Sequence, residues 1–167
     1  MKLKGNYYPR SFNMGVAREV VEKIGGFGKL RHGQDIEFSN RIIKSGAKVL
    51  QSSAFVYHKR RTSIGKCFKQ TFNWGVARIN LYKIDKDMLC MIHFLPSIAT
   101  IFFPIFLIQI PLAMIECTIK YRDAKPALWL PLAIPAQTMG YGLGFIYNFI
   151  RRIILKKEAT VGFYEND

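Results

Sequence analysis

Asp35 is the residue on which a reaction can be built. It opens an apolar-periodic stretch and follows the glycine-bounded loop Phe27–Gly33, FGKLRHG. A carboxylate at a helix N-terminus meets unpaired N–H groups and the positive end of the helix dipole, which hold it ionised. An ionised carboxylate beside a glycine loop can take a proton from a hydroxyl. The same residue can serve only as the cap of its helix, and the local pattern leaves both roles open. His32 and His58 are proton carriers or ligands by type, and surface or packing residues by frequency. His58 runs directly into Lys59, Arg60 and Arg61, a basic cluster suited to a solvated loop, a phosphate or an anionic lipid. Cys67, Cys90 and Cys117 have no C-x-x-C among them, which excludes a disulfide framework and a zinc pattern and leaves packed free thiols. The one Asp-x-Asp, Asp85-Lys86-Asp87, reads as a solvated juncture.

Short elements must position these groups. Val16, Val20, Val21 and Ile24 follow helical spacing and Gly25-Gly26 stops them. A second helix starts at Asp35, carries Ile36, Ser39, Asn40 and Ile43 on one face, and ends at Gly46. AKVLQ (47–51) and SAFVYH (53–58) are β-branched and aromatic enough to predict two short strands around a turn. A third helix is expected from about Ile64 to Ile84, with Ile64, Phe68, Thr71, Phe72, Gly75, Ile79 and Tyr82 in one stripe.

Charge and apolar residues occupy different halves. The 167 residues carry a net +14 and are half apolar. Residues 1–87 hold 18 of the 25 basic side chains, and a composition shift follows near residue 87. Beyond it lie 28 residues without charge (88–115) and 25 more (126–150), each long enough for a membrane helix. Basic flanks at Lys83 and Lys86, and at Arg151, Arg152, Lys156 and Lys157, put both ends of such a hairpin in the cytoplasm. Pro96, Pro104, Pro111, Pro126, Pro131 and Pro135 interrupt these runs, and interfacial or re-entrant segments are the alternative to spanning. His93 reads as an interfacial histidine, and Trp129, Tyr141 and Tyr147 as interface anchors or packing. MKLKGNYYPRSF has no apolar stretch behind its basic start, so it is not a secretory signal. The basic charge is explained by topology and anionic lipid, and a nucleic-acid partner is not expected.

Taken in order, N-M-G-V-A-R-E-V-V-E-K-I-G-G-F (13–27), G-Q-D (33–35), N-R-I-I-K-S-G-A-K-V (40–49), V-Y-H (56–58) and Q-T-F-N-W-G-V-A-R (70–78) resemble the C-terminal half of family 2 glycosyltransferases with a GT-A fold. The similarity covers roughly residues 6–84. It implies an acceptor-side wall with a strand-to-helix turn at Asn13. Gly33-Gln34-Asp35 resembles the family's Gly-Glu-Asp, so Asp35 would deprotonate the acceptor hydroxyl for inverting attack at the anomeric carbon. Gln70-x-x-Asn73-Trp74 resembles the Gln-x-x-Arg-Trp of processive synthases. Asn in place of Arg loses a bidentate guanidinium, which argues for addition of a single sugar. The resemblance places His58 near the diphosphate or its metal, the one candidate metal ligand; here it is followed by Lys59, Arg60 and Arg61, which can offset leaving-group charge. The family's nucleotide-binding half, with its Asp-x-Asp for Mg²⁺ or Mn²⁺, is expected before residue 1, so the chain reads as part of an enzyme and no cofactor is assured for it alone.

The expectation is thus an α/β fold, the C-terminal portion of GT-A, followed by a transmembrane α-helical hairpin. Residues 1–87 form the acceptor side, 88–155 two membrane helices with a loop at 117–125, and 156–167 a polar tail. The implied partners are a nucleotide-sugar donor, a glycan or lipid-linked acceptor, the inner or plasma membrane from its cytoplasmic side, and a chain supplying the nucleotide-binding half. The alternative is a non-enzymatic two-span membrane protein whose basic region binds lipid or a partner.

Overall fold

The computed structural model describes residues 8–57, 62–102 and 104–159. They form helices and turns in two compact units, residues 1–60 and 61–167. No strand occurs among the described residues, so the expected α/β fold is not what forms.

The first unit has two helices, α1 (Arg18–Ile24) and α2 (Gln34–Lys44). Both end where glycine lets the backbone turn left-handed. Gly25 (φ 78°) closes α1 with its N–H on the Val21 carbonyl at 2.8 Å, and Gly46 (φ 81°) follows α2. Gly33 (φ 82°) precedes α2 in the same region of backbone space, which a side chain would strain. Buried Ile36, Phe38 and Ile42 make α2 the core of this unit, and Phe27 packs its ring 4.7 Å from Phe38.

Arg41 ties the two helices together. Its Nε donates to Glu37 Oε1 at 2.6 Å and its Nη2 to Oε2 at 3.0 Å, while Nη1 and Nη2 donate at 2.6 Å to the carbonyls of Ile24 and Gly26. The two-pronged guanidinium therefore holds the α1 terminus against α2, and lysine cannot reproduce that fork. Arg41→Met leaves the Glu37 carboxylate poorly solvated and two carbonyls without their donor. It is expected to cost the first unit about 2–4 kcal/mol, read as a lower urea midpoint, with Arg41→Lys recovering only part.

The expected strands at 47–51 and 53–58 do not form within the described residues. Two paired strands are marginal unless one face is covered, and here Phe55 is 77 % and Tyr57 95 % exposed. Residues 47–57 run as an irregular segment; residue 58 lies outside the described residues.

The second unit contains α3 (Ile64–Ile84), α4 (Leu95–Ile101), α5 (Ile105–Tyr121) and α6 (Leu130–Phe149), with 3-10 turns at Lys86–Met88, Met91–Phe94 and Pro126–Trp129 and a π turn at Ile150–Ile154. Ser63 caps α3, its Oγ accepting the Lys66 N–H at 3.2 Å, so this helix begins and ends where its apolar stripe predicts. α3 and α6 meet backbone to backbone. A Cβ on Gly75 would lie 2.6 Å from the Phe145 nitrogen, one on Gly140 2.9 Å from the Phe68 carbonyl oxygen, and one on Gly144 2.8 Å from the Phe72 carbonyl carbon. Gly142, on another side of α6, meets Pro96 and Thr100 of α4 in the same way. Glycine at alternate positions thus serves two neighbours at once. Beneath the contact, Val76, Ile79 and Leu81 are fully buried, as is Asn148, whose Nδ2 donates to the Val76 carbonyl at 2.7 Å and to Asn80 Oδ1 at 3.0 Å.

The transmembrane hairpin expected over 88–155 is also corrected. No helix among the described residues is long and apolar enough to cross a membrane. The first uncharged run leaves helical geometry at Phe102 (φ −96°, ψ 67°) and re-enters at Pro104, which splits it into α4 and the 17 residues of α5. Seventeen residues rise only about 26 Å, short of the roughly 30 Å hydrocarbon core. α6 is longer, but Gln137, Thr138, Asn148 and its glycines dilute its apolar content. The expected loop at 117–125 is shorter too, because α5 continues to Tyr121 and ends at Arg122 (φ 52°). Four prolines mark helix starts: Pro96, Pro126 and Pro131 stand in first turns and Pro104 precedes α5, while only Pro111 and Pro135 lie inside helices.

Candidate functional site

The Asp35 carboxylate is held by two partners. Its Oδ1 accepts the Ile36 N–H at 2.9 Å in the first turn of α2. Its Oδ2 lies 3.5 Å from Nη1 of Arg10, and the side chain keeps 19 % of its surface in contact with solvent. One oxygen therefore serves the first turn of the helix while the other faces Arg10, on a side chain that keeps some contact with solvent, in a positive setting made by the helix terminus and Arg10. Arg10, 25 positions away, belongs to the site although sequence reasoning gave it no role.

The segment that carries Arg10 is strapped along the same face of α2. Ser39, one turn beyond Asp35, donates its hydroxyl to the Pro9 carbonyl at 2.8 Å and reaches Met14 Sδ at 3.9 Å. Ile42, two turns beyond Asp35 and about 10 Å along the helix, floors a cleft of about 280 Å³. Pro9, Asn13, Met14, Ala17, Gln51 and Ser52 are among its walls. Asn13 thus lines the cleft. Gly33, Gln34 and Asp35 do not line it; they stand at the other end of the shared α2 face, across the 9–14 strap. Gln34 is the first residue of α2 and is half-buried.

The remaining expected residues are distributed differently. Gln70, half-buried, and Trp74, exposed, lie on α3 in the second unit. His58 and Arg60 lie outside the described residues. No group of three His, Cys, Asp or Glu that could hold a metal occurs among the described residues. Asp85 caps the turn that follows α3, its Oδ1 accepting the Asp87 N–H at 3.1 Å, which gives the Asp-x-Asp a structural task.

His93 in the second unit has a clear electrostatic signature. Burial, and then the nearby positive charge of Arg78, push its pKa down to about 4. Its Nδ1 accepts the Cys90 N–H at 2.9 Å, so the neutral ring carries its proton on Nε2. Because the folded state resists a proton that the unfolded chain takes up near pH 6.5, the stability from this group is full above that pH and is lost as pH falls toward 4. The ring is partly solvated, so the loss is expected to be about 1–2 kcal/mol after screening. Chemical denaturation at pH 7 and pH 4.5 checks this, and His93→Gln is expected to flatten the difference.

No protein-family model, curated protein or solved structure matches the chain.

Proposed function

We propose that the chain is the acceptor-side part of an inverting glycosyltransferase that moves one sugar from a nucleotide-sugar donor to a membrane-associated glycan or lipid-linked acceptor. The single observation that carries this reading is the partly exposed Asp35 carboxylate, with one oxygen on the first turn of α2 and the other beside Arg10. In that role Oδ2 takes the acceptor hydroxyl proton as the oxygen attacks the anomeric carbon and the nucleoside diphosphate leaves. The donor's nucleotide is held by an α/β unit, on this or another chain, with the divalent metal that unit binds. The acceptor's setting agrees with α5, which exposes Ile108, Leu112, Ile115 and Ile119 along one stripe beside the basic turn of Lys120, Arg122 and Lys125. Such a face suits the cytoplasmic surface of a bilayer without crossing it.

The test is recovery of the chain from the membranes of the organism that makes it, followed by incubation with radiolabelled uridine- and guanosine-diphosphate sugars and Mn²⁺. The expected result is label in the lipid-extractable or glycan fraction from one donor. A folded, recovered chain that transfers none of them removes the reading. The second reading, a non-enzymatic lipid- or partner-binding protein, is favoured by the same α5 stripe and by the lack of strands among the described residues.

A further inference from the structure

The cleft floored by Ile42 is walled by two extended runs of chain. Every residue from Asn13 to Ala17 lines it, and so does every residue from Ala47 to Val56 except Ser53. Met14 (φ −120°, ψ 126°) and Ala17 (φ −63°, ψ 138°) hold extended backbone. Exposure alternates along both runs with the period of a strand: Met14, Val16, Ala47 and Val49 are half-buried, while Asn13, Gly15, Ala17, Lys48 and Leu50 are exposed. Leu50 makes an isolated β-bridge, so this backbone is competent for a ladder, and a single bridge engages one edge of an extended run. No backbone hydrogen bond between described residues engages 14–16 or 47–53.

Gly15 points to what the cleft admits. A Cβ built on it meets nothing within 4 Å, and its backbone is not left-handed. A glycine that neither turns the chain nor relieves a clash inside the protein leaves room for another backbone to approach. The chemistry of the walls narrows the visitor further. Among the described lining residues Lys48 is the only ionised side chain and none is a carboxylate, while residues 1–60 hold twelve basic against four acidic side chains. Leu50, Phe55 and Val56 leave 71, 77 and 53 % of their surface exposed. A run of β-branched and aromatic residues without a covering layer gains most from a strand laid against it. At about 280 Å³ the cleft takes a few residues of a peptide and no larger element.

We propose that this cleft binds an extended, acidic peptide segment of a protein partner by strand addition. The peptide's main chain pairs with the 14–16 run, where Gly15 lets it come close, its alternate apolar side chains pack over Ile42, and a carboxylate meets Lys48 across the cleft. This inference does not rest on the transferase reading: the cleft lies across the 9–14 strap from Asp35, and the peptide is neither the sugar donor nor its acceptor.

The whole chain in neutral detergent is titrated against the fluorescein-labelled peptide Glu-Val-Thr-Val-Glu-Val-Thr, blocked at both ends, with binding read by fluorescence anisotropy. The peptide is expected to bind, and replacing its glutamates with lysine is expected to weaken binding about tenfold or more. Methylating the amide nitrogens along one edge of the peptide is expected to abolish binding, and along the other edge to leave it unchanged, because pairing with one run uses one edge. Gly15→Val, whose Cβ meets no neighbour in the free chain, is expected to weaken binding by more than about tenfold at an unchanged melting temperature. Lys48→Gln is expected to weaken it about two- to fivefold and to flatten its salt dependence. No binding by the folded chain, or undiminished binding to Gly15→Val, overturns the proposal. Equal binding of the two methylated peptides overturns it too and leaves a pocket for side chains alone. Self-association of the chain that Gly15→Val removes, with no peptide bound, makes a second copy the occupant and overturns it as well.

Discussion

Gly144→Ala is expected to unfold the second unit or to remove at least about 3 kcal/mol of its stability, a large fraction of what a domain of this size has. The added methyl would lie 2.8 Å from the Phe72 carbonyl carbon and 3.0 Å from its Cα. These are backbone atoms inside a helix, so no rotamer change relieves the overlap and α3 and α6 must move apart. Separation opens the layer of Val76, Ile79 and Leu81 and pulls Asn148 off the Val76 carbonyl, leaving a buried carbonyl without its donor. Gly65→Ala is the matched control. A Cβ there meets nothing within 4 Å, in the first turn of the partner helix α3, and helix propensity alone predicts a small gain of about 0.5–1 kcal/mol. Thermal melts of the two variants, followed by helical circular dichroism, separate close packing from propensity. Similar melting temperatures would mean that the helices do not approach this closely.

Asp35→Asn is expected to lower sugar transfer about 10²–10⁴-fold, the range for loss of a general base, with nucleotide-sugar binding unchanged. The substitution separates two roles that one residue can hold. Asp35 is the second residue of α2, and asparagine there loses only the favourable charge at the helix N-terminus while its Oδ1 can still accept the Ile36 N–H, so stability is expected to change by less than about 1 kcal/mol. If Asp35 serves only the first turn of α2, transfer survives in the variant. Equal loss of donor binding would sink the assigned role from the other side. Arg10→Gln complements the test: it removes the positive neighbour 3.5 Å from Oδ2 but leaves the base, and the expected loss is well below that of Asp35→Asn.

The parts of this structure that were legible in the sequence are those decided locally. α1 stops at Gly25, α2 runs out before Gly46 and α3 fills Ile64–Ile84, because glycine conformations, a serine cap and a 3.6-residue stripe act within a few positions. The strands failed because β-branched and aromatic residues at 47–57 favour extension but need a covering layer, and Phe55 and Tyr57 have none. The spans failed because run length was read without the break between α4 and α5. In the site, Asp35 was visible as a helix opener, whereas Arg10 reaches it from 25 positions away with no local pattern. The Gly140, Gly142 and Gly144 series was a signal that went unread. Three glycines at alternate positions in a helix give up stability without compensation unless other backbones press against them.

The α3–α6 contact also sets a timetable for synthesis. Asn148 follows Val76, whose carbonyl it caps, by 72 residues. At about 5–20 residues per second, a ribosome needs several seconds to supply that partner after Val76 is made. During that interval the glycine-bearing face of α3 has no α6 to close on, and folding cannot proceed in the order of translation. The second unit is therefore a late-closing fold, exposed to aggregation or to capture by a chaperone or a lipid surface until nearly its last helix has emerged.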